Sequence, residues 1–275
     1  MSFSKKMMIG AVTAFLGFAA SGADFNSTDF FNVHKDYANK GNADAQFNAS
    51  SCFNAGDGTV KNAGQALAYL RRSANAGNVD AQFYLGLDFE TKKNQKQALV
   101  WYKKAAAKYH PAALYKLAEY YEFGKGGEKK NWEKAAEYYK KSAETGYVQA
   151  QYKYGVLCAT GKGVAQSWKE AAKWYAKAAQ TGKKLTYPPH AMAQYNLAWC
   201  YANGQGVAKS LKDAVKWYRE AAENGIVEAQ FQLVECYAKG LGVVKSNDWA
   251  IYWYRQAASN GMEKAKAALK AYGLN

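Results

Sequence analysis

A pair of adjacent aromatic residues, followed by small residues, recurs along this chain at nearly constant spacing. That recurrence limits the fold more than any other feature. Trp217-Tyr218 stands in KWYREAAENGIVEAQ, Trp101-Tyr102 in LVWYKKAAAKYHPAAL and Tyr138-Tyr139 in AEYYKKSAETGYVQAQ. Trp174-Tyr175 stands in AKWYAKAAQTG, Trp253-Tyr254 in AIYWYRQAASNGMEKA, and a worn copy carries Tyr69-Leu70. A second landmark, the alanine opening each next segment, falls at Ala45, Ala81, Ala113, Ala150, Ala193, Ala229 and Ala265, at spacings of 36, 32, 37, 43, 36 and 36 residues. Self-similarity at such a period is the mark of a helical-pair solenoid, in which a unit buries its apolar face only against its neighbours.

Each unit reads as two antiparallel helices. In AQYNLAWCYANGQGV, Ala193, Leu197, Ala198 and Tyr201 share one helical face, and Gly204 and Gly206 then end the helix. In SLKDAVKWYREAAENG, Ala214, Trp217, Tyr218, Ala221 and Ala222 share another face, and Gly225 closes it. Small alanines let helices approach closely while the rings fill the space between pairs. The Trp-Tyr pair therefore reads as inter-helix packing, with Lys216 and Arg219 solvated. Both ends read as half-repeat caps, residues 27–41 as a solitary second helix and 262–275 as a solitary first helix. The expectation is all-α: a right-handed α/α superhelical solenoid of about six helix-pair repeats, one domain over residues 24–275.

The first residues belong to a different problem. MSFSKK is a short basic stretch, MMIGAVTAFLGFAA an apolar run too short for a comfortable membrane span, and SGA offers small residues at Ser21 and Ala23. Residues 1–23 read as a cleaved signal peptide, giving a periplasmic or secreted protein; the alternative is an uncleaved anchoring helix. The chain carries 37 Lys and Arg against 22 Asp and Glu, a formal +15. Export makes nucleic acid an unsuitable partner for that excess and leaves an acidic protein surface or an anionic envelope surface. Much of the charge is also explained as a solvated helical face.

No catalytic constellation is present. His34, His110 and His190 fall in different units, and neither H-E-x-x-H nor C-x-x-C occurs. The glycine pairs lack the Lys-Ser/Thr of a phosphate-binding loop, and the S-x-x-K pattern occurs only at Ser2 to Lys5. No cofactor and no metal is expected. Cys52, Cys200 and Cys236 fall seven residues after their opening alanine and Cys158 eight. Equivalent positions in adjacent repeats should lie about 8–10 Å apart, beyond the disulfide limit of about 7 Å, so four reduced, mostly buried thiols are expected.

The pattern A-x-x-x-L-G/A-x-x-Y, then G-x-G-V, then A-x-x-W-Y-x-x-A-A-x-x-G resembles the SEL-like repeat family, relatives of the tetratricopeptide repeat. The loop element is carried by Gly161-Lys162-Gly163-Val164, Gly204-Gln205-Gly206-Val207 and Gly240-Leu241-Gly242-Val243. The resemblance spans roughly Ala38 to Tyr272. It implies first helices that line a concave groove, where the third residue of each is aromatic: Phe47, Phe83, Tyr115, Tyr152, Tyr195 and Phe231. A position alike in all repeats is more often packing than recognition. Four residues further on the pattern is irregular, and Trp199 beside Tyr195 is its most individual member.

The 43-residue spacing marks the other irregularity. TGKKLTYPPHAMAQ is about seven residues longer than NGIVEAQ and carries Lys183, Lys184, Tyr187 and His190. Insertions in solenoids fall in surface loops and are common recognition elements, although a neutral insertion costs little. Candidate partner-binding residues are therefore Lys183, Lys184, Tyr187, His190, Tyr195, Trp199 and Tyr152. The favoured function is a non-enzymatic exported module that binds another, acidic protein through the groove and the insertion at 181–192. Family resemblance extends this to an immunity protein neutralising a type VI secretion phospholipase effector. The alternatives are a β-lactam-hydrolysing enzyme, an activity linked to the family's cysteine-rich branch whose cysteine pairs this chain lacks, and an envelope scaffold or glycan or lipid-surface binder.

Overall fold

Short polar side chains start most of the helices and left-handed glycines end several of them. The computed structural model describes residues 26–180, 188–271 and 273, so the expected signal peptide lies outside the described residues. Among those described there are fourteen helices and no strand. Helix α1 (Ser27–Asn39) begins at Asn26, whose side chain accepts from the backbone N–H groups of Thr28 and Asp29, while Asp29 accepts from the Asn26 N–H. Asn42, Asn62, Asn78 and Asn94 cap α2 (Ala43–Ala55), α3 (Ala63–Asn75), α4 (Val79–Thr91) and α5 (Gln95–Ala106) in the same way. Each such cap contributes about 1 kcal/mol.

The chain forms two compact units, one ending at His110 and one beginning at Pro111. In the first, α2 packs on α3 and α4 on α5, and α1 covers α2. In the second, α6 (Pro111–Phe123) pairs with α7 (Trp132–Glu144) and α8 (Val148–Thr160) with α9 (Trp168–Gln180). Helix α10 (Pro188–Asn203) pairs with α11 (Leu211–Glu223), α12 (Val227–Lys239) with α13 (Asn247–Ser259), and α14 (Glu263–Ala271) covers α13. Asn131, Ser210 and Ser246 cap α7, α11 and α13, the second helices of their pairs.

The core has the aromatic-on-alanine character read from the repeat. Ala113, Ala150, Ala193 and Ala229 are wholly buried, and Tyr139, Tyr175 and Tyr218 lie in the interior. A methyl group on Gly155 would stand 2.8 Å from the Tyr175 ring, so the smallest residue is required where the ring crosses α8. Trp217 is half-buried between two core clusters, and Lys216 and Arg219 are exposed, as the packing reading required. Each buried ring removes about 150–250 Å² from water.

The G-x-G loops do more than end helices. Gly161 and Gly240 terminate α8 and α12 in the left-handed conformation. The second glycine of each loop is an inter-repeat joint. A side chain on Gly163, Gly206 or Gly242 would run into the carbonyl oxygen of Trp132, Trp168 or Leu211, the first residue of the preceding repeat's second helix. Where this loop is lost, Lys93 takes φ 60°; Tyr109, at φ 58°, replaces the turn glycine found at Gly77, Gly146 and Gly225. A left-handed residue other than glycine costs about 1–2 kcal/mol.

Candidate partner-binding site

The third-residue aromatics of the first helices are half-buried, and the ones in α8 and α10 rest on the second helix of their own pair. Tyr152 meets Tyr175 with ring centroids 6.3 Å apart, and Tyr195 meets Tyr218 at 5.7 Å. Burial pushes the hydroxyls of Tyr152 and Tyr195 up from their ordinary range, and a hydrogen bond from Asn196 partly opposes this at Tyr152. These rings stay protonated, and each has one face committed to packing. The regularity of this position reflects that packing, and each residue remains half-buried.

Trp199 has a partner of its own. Its ring lies 5.1 Å from that of Trp168, at the start of α9, the second helix of the preceding repeat. Tyr195 and Trp199 share α10 but rest on different repeats, α11 and α9 respectively. Trp168 was not singled out by sequence. The signal was available, since tryptophan opens a second helix only at Trp132 and Trp168.

His190 is placed in the interior, with 3% of its surface exposed. Its Nδ1 stands 2.8 Å from the carbonyl oxygen of Ala178 and its Nε2 stands 3.0 Å from Nε2 of Gln194. A carbonyl only accepts, so Nδ1 carries the proton and donates to it, and the Gln194 amide donates to Nε2. The ring is thereby fully used, and burial removes His190 from the groups that a partner could touch. Lys183, Lys184 and Tyr187 lie outside the described residues. The structure thus brings Tyr152, Tyr195 and Trp199 onto neighbouring first helices, α8 and α10, and puts His190 beneath the entrance to α10.

The role of His190 becomes clear against a glutamine column that sequence reading also passed over. Gln46, Gln82, Gln151 and Gln230 follow their opening alanines, are buried, and donate to Ala38, Ala74, Ala143 and Ala222, eight residues earlier in each case. Each ties the start of a first helix to the end of the helix before it. In the fifth repeat the glutamine meets no such carbonyl directly, and His190 links Gln194 to the carbonyl of Ala178.

All four cysteines are buried thiols outside any disulfide. Burial pushes the Cys200 and Cys236 thiols up to about 11 and raises that of Cys158, so the reactive thiolate is scarce at neutral pH. Among the described residues no three of His, Cys, Asp and Glu group as a metal site would require. No described helix is long and apolar enough to cross a membrane.

Six segments of the chain match the Sel1 repeat family: residues 43–78, 79–110, 111–147, 148–182, 191–226 and 227–262. The match passes over residues 183–190. Among solved structures, a protective antigen present in uropathogenic Escherichia coli strains and displaying an SLR fold is 29% identical, with a TM-score of 0.78, covering 86% of this chain and 50% of that one. A Sel1 repeat protein from Oxalobacter formigenes is 35% identical, with a TM-score of 0.67, covering 74% of this chain and 82% of that one. Chitin synthase regulatory factor 4 of Schizosaccharomyces pombe is 34% identical over 82 residues, 30% of this chain and 13% of that protein. The chain thus spans half the length of the E. coli antigen, and its match to the yeast factor covers a small part of that protein.

Proposed function

We propose that this chain, which belongs to the Sel1 repeat family, is an exported, non-enzymatic module whose partner protein docks at the entrance to the fifth repeat. The observation that carries this reading is the splice at His190. The inserted residues are foreign to the repeat, since the family match passes over 183–190, yet the hydrogen-bond clamp at the start of α10 is rebuilt through His190. Lys183, Lys184 and Tyr187 stand in sequence just before this splice, on the chain that enters the helix carrying Tyr195 and Trp199. Aromatic anchors surrounded by lysines suit an acidic partner.

Export is supported by the basic start and the apolar stretch after Lys6. In its sharpest form, carried by family resemblance, the module is an immunity protein whose partner is a phospholipase effector. The test is affinity capture from envelope extract with the native sequence and with the Lys183→Glu, Lys184→Glu, Tyr187→Ala variant, which leaves every described packing contact in place. The expected result is a specific acidic partner lost by the variant. Equal retention by both would overturn the assignment.

A further inference from the structure

The outer face of the last repeat departs from the others in a way that packing does not require. In the second helices of the second unit, the third helical residue is Lys134, Glu170 and Asp213 in successive repeats, and the sixth is Glu137, Lys173 and Lys216. All six are charged. In α13 the same two positions hold Trp249 and Tyr252, 51% and 44% exposed. Both lie on the solvent side of the helix, where neighbouring repeats show that charge is tolerated.

These rings belong to a continuous surface. Trp249 stacks on Tyr237 of α12 at 5.9 Å, and Tyr252 meets Trp249 edge-on at 5.4 Å and 80°. Arg219 of α11 donates to the Tyr237 hydroxyl at 2.7 Å. Arg255 lies one helical turn beyond Tyr252. The chain has four arginines among its 37 basic residues, and two of them border this patch. Trp, Tyr and Arg are the residues that dominate protein interface energetics, while lysine is depleted there. The perpendicular rings form a notch, and they cannot both lie flat on successive sugars as an extended glycan platform would need.

The electrostatics select the occupant. Helix α11 carries Lys212, Lys216 and Arg219 against Asp213, Glu220 and Glu223, and α13 carries Arg255 against Asp248. Each helix is neutral within a chain of formal charge +15. Lys209 and Lys245, exposed just before the two helices, make the face mildly basic, so an acidic partner gains less steering toward it than toward the rest of the chain. Two copies of the face, related by a two-fold axis, can meet with less repulsion than the net charge of the chain would otherwise impose. Arg219 and Arg255 of one copy can then answer Asp248 and Glu223 of the other.

We infer that the Trp249–Tyr252 face of the sixth repeat is a self-association surface that joins two copies of this chain. It is independent of the partner site at the fifth repeat. The test is sedimentation velocity over a wide concentration series, on protein purified in the form the producing cell leaves it. The comparison variant combines Trp249→Asp with Tyr252→Lys, the residues that the fifth repeat uses at these positions. The native sequence should move toward the dimer mass as concentration rises, and the variant should associate about tenfold more weakly or worse. Tyr252→Lys alone keeps the Trp249–Tyr237 stack and guards against a folding defect; it too should weaken the dimer. A native chain that stays monomeric throughout, or either variant associating as the native chain does, would overturn the inference.

Discussion

The entrances to α10 and α12 perform the same task with different residues. At α12, Gln230 donates directly to the Ala222 carbonyl at 3.1 Å and accepts from Asn260 at 3.1 Å. At α10, Gln194 accepts from Asn224 at 3.0 Å but reaches the end of α9 only through His190. The difference teaches that a solenoid accepts extra chain when the clamp beneath it is restored, because lengthening a surface connection costs little while an unpaired buried amide costs much. It also separates two properties that the inserted segment would otherwise confuse, the stability of the repeat and the surface it presents.

The strongest way to break the comparison is to remove the splice. His190→Ala should strip the Gln194 amide and the Ala178 carbonyl of their shared partner and leave a cavity, at a cost of about 2–4 kcal/mol. Gln230→Ala, the matching change at α12, should cost about 1–3 kcal/mol. Urea unfolding of the two variants checks both the size and the order. A nearly neutral His190→Ala would mean that the ring merely fills space.

A gentler change sharpens the comparison. Replacing residues 180–192 with ENGIVE, the sequence at 223–228, puts the Ala179 carbonyl eight residues before the fifth-repeat glutamine, as at α12. Direct pairing should return, and thermal unfolding should place the hybrid within about 1 kcal/mol of the native chain. Smallest of all is the expected contrast between Cys200 and Cys236, one in each repeat. Burial raises both thiols to about 11, and Cys200 is the less exposed. Neither should react with a thiol reagent in the folded chain, and fast labelling of Cys200 alone would show that the insertion loosens the fifth repeat.

Most of the architecture was legible because it is local and repeated. The Trp-Tyr pairs, opening alanines and loop glycines each declare a helix, its buried face or its end within a few residues. What stayed hidden spans the joint between repeats, some thirty residues apart in sequence. The Trp168–Trp199 contact, the closeness of Gly206 to the Trp168 carbonyl, and the Asn224–Gln194 bond are of this kind. His190 was misplaced for a related reason: loop composition suggests exposure, whereas its neighbours Ala178 and Gln194 draw it inside. The glutamine column was visible as Ala-Gln at the start of five first helices, but a polar residue on a helix reads as solvated until a buried carbonyl is found for it.

On this proposal the residues inserted before the fifth repeat bind a partner while His190 holds the repeat together. The most direct measurement is partner affinity for the ENGIVE hybrid beside the native chain, by titration calorimetry with the captured partner. The hybrid should fold with native stability and lose binding by about tenfold or more. A hybrid that folds and binds as tightly as the native chain would contradict the proposal.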